Sequence, residues 1–261
     1  MVKVMETLLK IDNISMNYHT ISEETEALKN VNFQVKNGEY ISILGPSGCG
    51  KSTLLNIISG LLQPTRGKVL YKGEDIEKHL DKIGYMFQKD HLFDWYTVWD
   101  NVILSLKIKN KLMDENKNRV NKLLEAYGLS RFKTHYPSQL SGGMRQRVAL
   151  IRTLALDPDI LFLDEPFSAI DYQSRLMVCD DVHEIIKKEK KTALMVTHDI
   201  SEAISMSDKV IVLSKRPSSI KSIIEIDFGN DKDSTPFERR KKAQFKDYFD
   251  LLWKEMDTNN E

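Results

Sequence analysis

Short apolar runs, each typical of a buried β-strand, recur along the chain and are separated by segments with helical spacing. One of them, YISIL (residues 40–44), is joined to the preceding run ALKNVNFQVK through the turn residues Asn37 and Gly38. Three more runs, DILFLDEP, TALMVTHD and KVIVLS, lie in the second half of the chain, and a helical pattern separates the first two. Strands that alternate with helices predict a parallel sheet, so we expect an α/β fold.

The region between these two groups of strands has a mostly helical pattern, from Asp90 to Leu156. A further helix is predicted near the end of the chain, where Thr235 as N-cap, Pro236 and Glu238 form a capping box. We expect it to pack on its own domain, the alternative being a helix that docks a partner. Its apolar face consists of Phe245, Tyr248, Phe249, Leu252, Trp253 and Met256.

The charge balance argues against a polyanionic partner. Lysine plus arginine and aspartate plus glutamate each number 38 among 261 residues, so there is no overall basic field and we expect no nucleic acid partner. The apolar runs fall short of the roughly 20 residues that span a bilayer. Because the start of the chain also lacks a secretory signal pattern, we expect the protein to be cytoplasmic.

The two cysteines are expected to be free thiols. Cys49 lies in a glycine-rich loop beside Lys51 and a predicted helix start, a setting that favours a reactive and accessible thiol. Cys179 shares a helical stripe with Leu176 and Val182, which predicts an inert core position.

The glycine-rich loop GPSGCGKS (residues 45–52) fits the pattern G-x-x-x-x-G-K-[ST]. Its glycines let consecutive backbone N–H groups turn toward a phosphate chain at a helix N-terminus. In that arrangement Lys51 reaches the β- and γ-phosphates and Ser52 reaches Mg²⁺. The alternative, an ordinary glycine turn, is disfavoured because a predicted strand precedes the loop and a helical pattern follows it.

Four polar side chains follow predicted strands. ILFLDEP ends in Asp164, which can hold Mg²⁺ through water, and in Glu165, which can polarise an attacking water. His198 follows TALMVT, where an imidazole can hold the γ-phosphate and the water in line. Gln88, in GYMFQKD, can reach Mg²⁺ or the water. Each alone is more often an ordinary polar strand end, but together with the glycine loop they indicate phosphate chemistry.

LSGGMRQR (residues 140–147) places a serine and two glycines at a predicted helix start. With this motif the chain resembles the ATP-binding cassette (ABC) family over nearly its whole length, in the family's motif order. The resemblance implies an α/β P-loop NTPase fold: a RecA-like parallel-sheet core, an antiparallel β subdomain and an inserted helical subdomain. The implied boundaries are an ATPase domain at 1–230, with its core at about 1–88 and 158–230 and its helical part at about 89–157, and a C-terminal helical extension at 231–261.

The resemblance also implies roles for the matching residues. The catalytic set is Gln88, Lys51, Glu165 and His198, and the metal set is Ser52, Gln88 and Asp164. Tyr18 matches the aromatic residue that stacks on adenine, and Ser168–Asp171 match the D-loop. The nucleotide-binding set is Tyr18, Gly45, Pro46, Ser47, Gly48, Cys49, Gly50, Lys51, Ser52, Thr53, Ser141, Gly142 and Gly143.

In the family two subunits meet head to tail, so the helix start after LSGG in one subunit points at the γ-phosphate bound by the other. A helix start without bulky side chains is an anion site. Ser141 and the N–H group of Gly143 are therefore expected to serve the ATP of a second ATPase subunit. The resemblance thus implies a dimer, expected to be a homodimer, with ATP and Mg²⁺ as cofactors.

A finer resemblance is to the ATPase subunits of nitrate-, sulfonate- and taurine-type importers. It rests on FQKDHLFDWYTVWDNV, LSGGMRQRVALIRTLALDPDILFLDEPFSAID and VIVLSKRPSSI. It implies a peripheral protein on the cytoplasmic face of the membrane that drives import of a small anion or related metabolite. The partners would be transmembrane permease subunits and, indirectly, an extracytoplasmic solute-binding protein. Asp94 and Ile170 depart from the residues usual there, proline and leucine. The alternative function is a soluble ABC ATPase without a transport role.

FDWYTVW, after Gln88, carries the aromatic residues Phe93, Trp95, Tyr96 and Trp99. We expect one or two of these rings to lie in the core of the helical insert. The others are expected to line a groove that receives a short helix of the membrane subunit.

Overall fold

The structure, a computed structural model, describes residues 6–19, 24–168, 170–229 and 234–256. Within these ranges ten strands and eight α-helices form, with short 3-10 turns between some of them. In chain order they are β1 (Thr7–His19), β2 (Glu24–Lys36), β3 (Tyr40–Leu44), α1 (Lys51–Ile58), β4 (Arg66–Tyr71), β5 (Glu74–Asp75), β6 (Ile83–Met86), α2 (Val98–Ile108), α3 (Asp114–Ala126), α4 (Gly142–Leu154), β7 (Ile160–Asp164), α5 (Tyr172–Lys188), β8 (Thr192–Thr197), α6 (Ile200–Met206), β9 (Lys209–Leu213), β10 (Ile220–Glu225), α7 (Pro236–Arg239) and α8 (Ala243–Met256).

The central sheet has the strand order β10-β9-β3-β8-β7-β6, and all of its pairings are parallel except the one at β10. This confirms the predicted parallel sheet. Strand β3 is buried along its whole length because apolar neighbours cover both faces of the sheet. The carboxyl ends of β3, β7 and β8 meet at one edge, where Leu44 pairs with Thr197 and Asp164 pairs with Val196.

A second, antiparallel sheet has the order β2-β1-β4-β5. The turn at Asn37 and Gly38 therefore connects strands of two different sheets, and the predicted strands on either side of it do not pair with each other. Strand β1 is not among the strands predicted from the sequence pattern. Its register shifts between Ile11 and Ile14, around the left-handed residue Asn13, and this irregularity interrupts the alternation that identifies a strand.

The predicted helical region is present as α2, α3 and α4. These helices share one apolar cluster that includes Val102, Leu124 and Leu150 and continues into α5. Helix α4 approaches α5 closely at Gly143, where an added Cβ atom would lie 2.7 Å from a methyl group of Val178. The start of α4 thus packs directly against α5.

The C-terminal capping box is confirmed: the Thr235 hydroxyl accepts from the Glu238 N–H, and the Glu238 carboxylate accepts from the Thr235 N–H. The prediction of a single helix after this capping box is wrong, because two helices, α7 and α8, follow it. Helix α7 ends at Arg239, whose buried guanidinium donates to carbonyl oxygens at the end of α6, and α8 begins after a tight turn. The break lets α7 pack on α5 and α6 while α8 packs on α6 and β9.

The apolar face of α8 packs against its own domain, as expected. Leu252 is fully buried, and Phe245, Tyr248, Phe249 and Met256 are partly buried in the same cluster. Trp253 is the exception and is 60% exposed. Residues 231–233 and 257–261 of the predicted extension lie outside the described residues. Among the helices that the structure describes, none is both long enough and apolar enough to cross a bilayer.

Candidate active site

The glycine loop connects β3 to α1 at the carboxyl edge of the parallel sheet. Gly48 and Gly50 have φ angles of 73° and 111°, which favour glycine over any residue with a side chain. Gly45 is constrained by space, because an added Cβ atom would lie 2.8 Å from the sulfur of Cys49. The loop therefore depends on glycine for its shape.

Lys51 begins α1 and folds back over the loop. Its Nζ donates to the carbonyl oxygens of Gly45, at 2.8 Å, and Pro46, at 2.9 Å. The residue is only 6% exposed. A buried lysine held by carbonyl oxygens alone has no counter-charge among these contacts, which suits the binding of an anion in the loop.

Asp164 and Ser52 form a small oxygen cluster beside the loop. The Ser52 hydroxyl donates to Oδ1 of Asp164 at 3.2 Å, and the Tyr85 hydroxyl donates to Oδ2 at 3.3 Å. Burial raises the pKa of the Asp164 carboxyl, opposed by these two hydrogen bonds. Burial, together with the charge of Asp164, also raises the pKa of Tyr85, so its hydroxyl remains a donor at neutral pH.

The oxygen cluster of Asp164 and Ser52 fits Mg²⁺ as proteins usually bind it at nucleotide sites. Among the described residues no group of three or more His, Cys, Asp or Glu side chains could hold a metal by itself. Mg²⁺ takes few protein ligands in nucleotide sites and fills its octahedron with water and phosphate oxygens. One carboxylate and one hydroxyl, as at Asp164 and Ser52, match that requirement.

Glu165 follows β7 and contacts two other predicted site residues. Its Oε2 accepts a hydrogen bond from Nε2 of Gln88 at 3.2 Å and lies 3.3 Å from Nδ1 of His198. The Glu165 backbone has a φ angle of 44°, uncommon for a residue with a side chain, and its N–H donates to Val196 on β8. Gln88, Glu165 and His198 are thus brought to one point from three separate strand ends.

These elements surround a cavity of about 450 Å³. Its lining residues are Ser47, Gly48, Gly50, Lys51, Ser52, Thr53, Glu165, His198 and Arg216. Tyr18 lies in β1 beside α1, with its hydroxyl 3.3 Å from that of Thr53 and its side chain 40% exposed. It is therefore part of the antiparallel sheet, in a strand that was not among those predicted.

Arg216 is the residue that the sequence analysis missed. It lies in the turn between β9 and β10, which is held by hydrogen bonds from Ser218 to Ser214 and by bonds between Ser218 and the backbone of β2. The signal available in the sequence was a pair of cations directly after the predicted strand KVIVLS. That β9 lies next to β3, and so brings Arg216 to the edge where β3 delivers the glycine loop, is known only from the strand order of the sheet.

The LSGG segment is not part of this cavity. Ser141 caps α4, with its hydroxyl accepting from the Met144 N–H at 3.3 Å, and its side chain is exposed. Of the described residues that line the cavity, none is Ser141, Gly142 or Gly143. The helix start that the sequence predicts as an anion site therefore does not line the cavity at the chain's own glycine loop.

Two further expectations concern the cysteines and the D-loop. The Cys49 side chain is 2% exposed and packs in the apolar cluster beneath the loop, so the predicted accessibility of its thiol is wrong. Burial raises the pKa of Cys179 to about 12, in agreement with an inert core position. In the D-loop segment, Ala169 lies outside the described residues, while Asp171 caps α5.

Comparison with known proteins agrees with this geometry. Residues 28–168 match the family described as ABC transporter. The chain is 44% identical over 255 residues to an uncharacterized ABC transporter ATP-binding protein of Bacillus subtilis, covering 97% of this chain and 96% of that protein. It is 38% identical over 236 residues to an aliphatic sulfonates import ATP-binding protein of Bacillus cereus, covering 90% of each. The chain belongs to the ABC transporter family.

A solved structure is similar to most of this ABC cassette. It is a dimeric ATP-binding cassette in a post-hydrolysis state bound to ADP and Pi, with a TM-score of 0.70 and 34% identity over 85% of this chain and 100% of that one. The predicted fold, a parallel-sheet core with an antiparallel β subdomain and a helical region, is confirmed. As an ABC ATPase, the chain binds and hydrolyses ATP.

Proposed function

We propose that this ABC ATPase works as a dimer on the cytoplasmic face of a membrane and drives import of a small anion, such as a sulfonate, through separate permease subunits. The mechanism rests on one observation: Gln88 and His198 both contact the same carboxylate oxygen of Glu165. This contact lies beside the cavity that Lys51 lines. The likeness to a sulfonates import ATP-binding protein supports the substrate class.

In this proposal the glycine loop cradles the phosphates with its backbone N–H groups, and Lys51 exchanges its carbonyl partners for phosphate oxygens. Ser52 and Asp164, the latter through water, would hold Mg²⁺, which neutralises phosphate charge when bound. We expect the Gln88 amide, which contacts Glu165 next to Asp164, to reach that shell. Tyr18 offers its exposed ring to the adenine base.

Glu165 orients and polarises the attacking water, and His198 holds the water and the terminal phosphate in line. Both side chains line the cavity, and their mutual contact keeps the carboxylate and the imidazole on the same side of it. Arg216 adds a second cation to the cavity that Lys51 lines. A guanidinium suits phosphate oxygens because it offers several N–H donors in a fixed plane.

A second subunit would complete each site. The exposed N-terminus of α4, capped by Ser141, has N–H groups that its own helix does not use. An N-terminus of this kind favours an anion, and the chain's own phosphate cavity does not include it. Head-to-tail pairing brings it to the ATP of the partner, and similar cassettes with bound nucleotide products are dimeric.

The surface that would receive the permease follows Gln88. Phe93, Trp95 and Tyr96 are 37%, 70% and 36% exposed, and their rings contact one another. Trp99, by contrast, packs against the core of the helical region. The amide of the buried Asn101 donates to the backbone of this loop and accepts from the Phe93 N–H, which fixes the exposed rings as a surface.

Uptake by cells that lack this gene tests the proposal. We expect loss of ATP-dependent uptake of radiolabelled alkanesulfonates or taurine, restored by the wild-type gene and not by Lys51→Ala. Unchanged uptake of sulfonates with loss of nitrate uptake would change the substrate class. If no solute is affected and the protein does not co-purify with any membrane protein, a non-transport ABC ATPase would replace the importer.

A further inference from the structure

One buried side chain joins the helix that begins at LSGG to the turn that carries Glu165. Gln146 lies on α4 and is 3% exposed. Its Nε2 donates to the carbonyl oxygen of Pro166 at 2.7 Å. Pro166 directly follows Glu165, so this hydrogen bond connects the helical region to the residue proposed to polarise the attacking water.

The turn that begins at Glu165 is held at its start by β8, where the Glu165 N–H donates to the carbonyl oxygen of Val196. The Glu165 carbonyl oxygen accepts from the backbone N–H of Ser168 at 3.2 Å and from its hydroxyl at 3.0 Å. Phe167 is fully buried, which anchors the turn in the same apolar cluster as α4. The Pro166 carbonyl lies between these two anchors, so the hydrogen bond from Gln146 acts on the residue that directly follows Glu165 and thereby on the orientation of the Glu165 side chain.

Packing alone does not explain a glutamine at this position. The Oε1 atom of Gln146 is buried without a hydrogen-bond partner. A buried amide with an unsatisfied acceptor is a costlier core residue than an apolar side chain of similar volume. What the amide adds over an apolar residue is the hydrogen bond to Pro166.

We infer that Gln146 is a positioning residue through which α4 sets the orientation of Glu165, so that hydrolysis responds to the docking of Ser141 on a partner's ATP. This inference rests on the role proposed for Glu165. A helix rises 1.5 Å per residue, so Gln146 lies about 7 to 8 Å along α4 from its capped start. Over that distance a helix moves as a rigid rod, and displacement of its N-terminus reaches Pro166 without an intervening joint.

Gln146→Met tests the link, because methionine keeps the length and nearly the volume of glutamine and has no N–H donor. We expect kcat to fall about tenfold or more, with the KM for MgATP and ATP-dependent dimer formation within about twofold of wild type. The matched control is Gln244→Met on the exposed face of α8, which should leave kcat unchanged. A folded Gln146→Met protein with wild-type kcat would overturn the inference.

A second variant separates positioning from loss of stability. Gln146→Glu has a donor to Pro166 only when its carboxyl is protonated, so its kcat relative to wild type should rise as pH falls from 8 to 6. A merely structural defect would lower kcat, nucleotide affinity and dimer formation together, in step with thermal stability, at every pH. That result, or a flat pH ratio in a folded protein, would also overturn the inference.

Failure of the inference is distinguishable from failure of the proposed function. If Glu165→Gln still hydrolyses ATP at a near wild-type rate, Glu165 is not the residue being positioned and the proposed role fails. If Glu165→Gln is inactive and Gln146→Met is fully active, only the link through Gln146 fails.

Discussion

The carboxylate of Glu165 meets the imidazole of His198, with 3.3 Å between Oε2 and Nδ1. The two residues follow β7 and β8, which pair in parallel, so their side chains leave the sheet at the same edge. Gln88 reaches the same oxygen from the segment after β6. Three neighbouring strands thus deliver the carboxylate, the imidazole and the amide that the proposed mechanism uses.

Replacing Glu165 with glutamine should stop steady-state hydrolysis and leave ATP binding intact. The change removes the carboxylate that polarises water and keeps the Ser52–Asp164 cluster, so we expect a loss of 10²-fold or more in kcat. Phosphate release measures turnover, and gel filtration with MgATP should show a trapped dimer. Glu184→Gln, in an exposed ion pair on α5, is the control and should be fully active.

Ser141→Arg should block turnover without weakening ATP binding to the same chain's glycine loop, because Ser141 serves the opposite site. Lys51→Ala should also be inactive, because it removes the lysine that binds phosphate in the same chain's glycine loop. In a mixed dimer one site carries both defects and the other carries neither, so activity should return on mixing. Ser130→Arg, on an exposed 3-10 turn of the helical region, is the control. If no mixing ratio restores any activity, head-to-tail complementation by independent sites is wrong.

Arg216→Ala should weaken ATP binding, because it removes one of the two Lys and Arg side chains among the described residues that line the cavity. A charge-assisted hydrogen bond contributes about 1.5–3 kcal/mol, which corresponds to a loss of roughly tenfold to a hundredfold in affinity. Displacement of a fluorescent ATP analogue measures it. Lys215→Ala, at the adjacent exposed cation outside the cavity lining, is the matched control. If Arg216→Ala and Lys215→Ala lowered the affinity for ATP equally, the effect would come from the general loss of positive charge and not from a contact between Arg216 and ATP.

Trp95→Ala should uncouple the ATPase from its membrane partner. The ring is 70% exposed on the surface that follows Gln88, so its loss leaves folding and basal ATP binding intact. We expect reduced co-purification with the permease or loss of uptake. Trp253→Ala on α8 is a control of similar size and exposure and should have no such effect. Normal assembly and uptake with Trp95, Phe93 and Tyr96 all replaced would move the docking surface elsewhere.

Acid should destabilise the protein through His183. Burial, with the nearby charges of Arg239 and Lys187, lowers the pKa of His183 to about 4, from 6.5. The unfolded chain therefore binds this proton first, and stability present above pH 6.5 is lost as pH falls toward 4. One pKa unit is about 1.4 kcal/mol, so the loss approaches about 3 kcal/mol. Urea unfolding of His183→Gln should show a weaker pH dependence between 7 and 4.5 than wild type.

Apolar runs and turn residues were sufficient to predict most of the core. YISIL and ILFLDEP form buried strands of one parallel sheet, as their continuous apolar character indicates. The sequence pattern failed where contacts distant in sequence override local spacing. Strand β1 is irregular in its pairings with both β2 and β4, and the C-terminal helix breaks after Arg239, which is buried against the end of α6.

The residue types and spacing of the glycine loop, LSGG and the strand-end polar residues are local properties, so the amino-acid sequence by itself determined the chemistry and the family. Which of those residues share one site depends on strand order and on side-chain direction, and only the tertiary structure decides these. It brings Gln88 and His198 to one carboxylate oxygen of Glu165, and it places Arg216 in the lining of the cavity. It turns the Cys49 side chain into the core, and it leaves Ser141 outside the site of its own chain. Local spacing does not reveal which residues share a site, because that depends on the order of the strands in the sheet and on how α4 packs against α5.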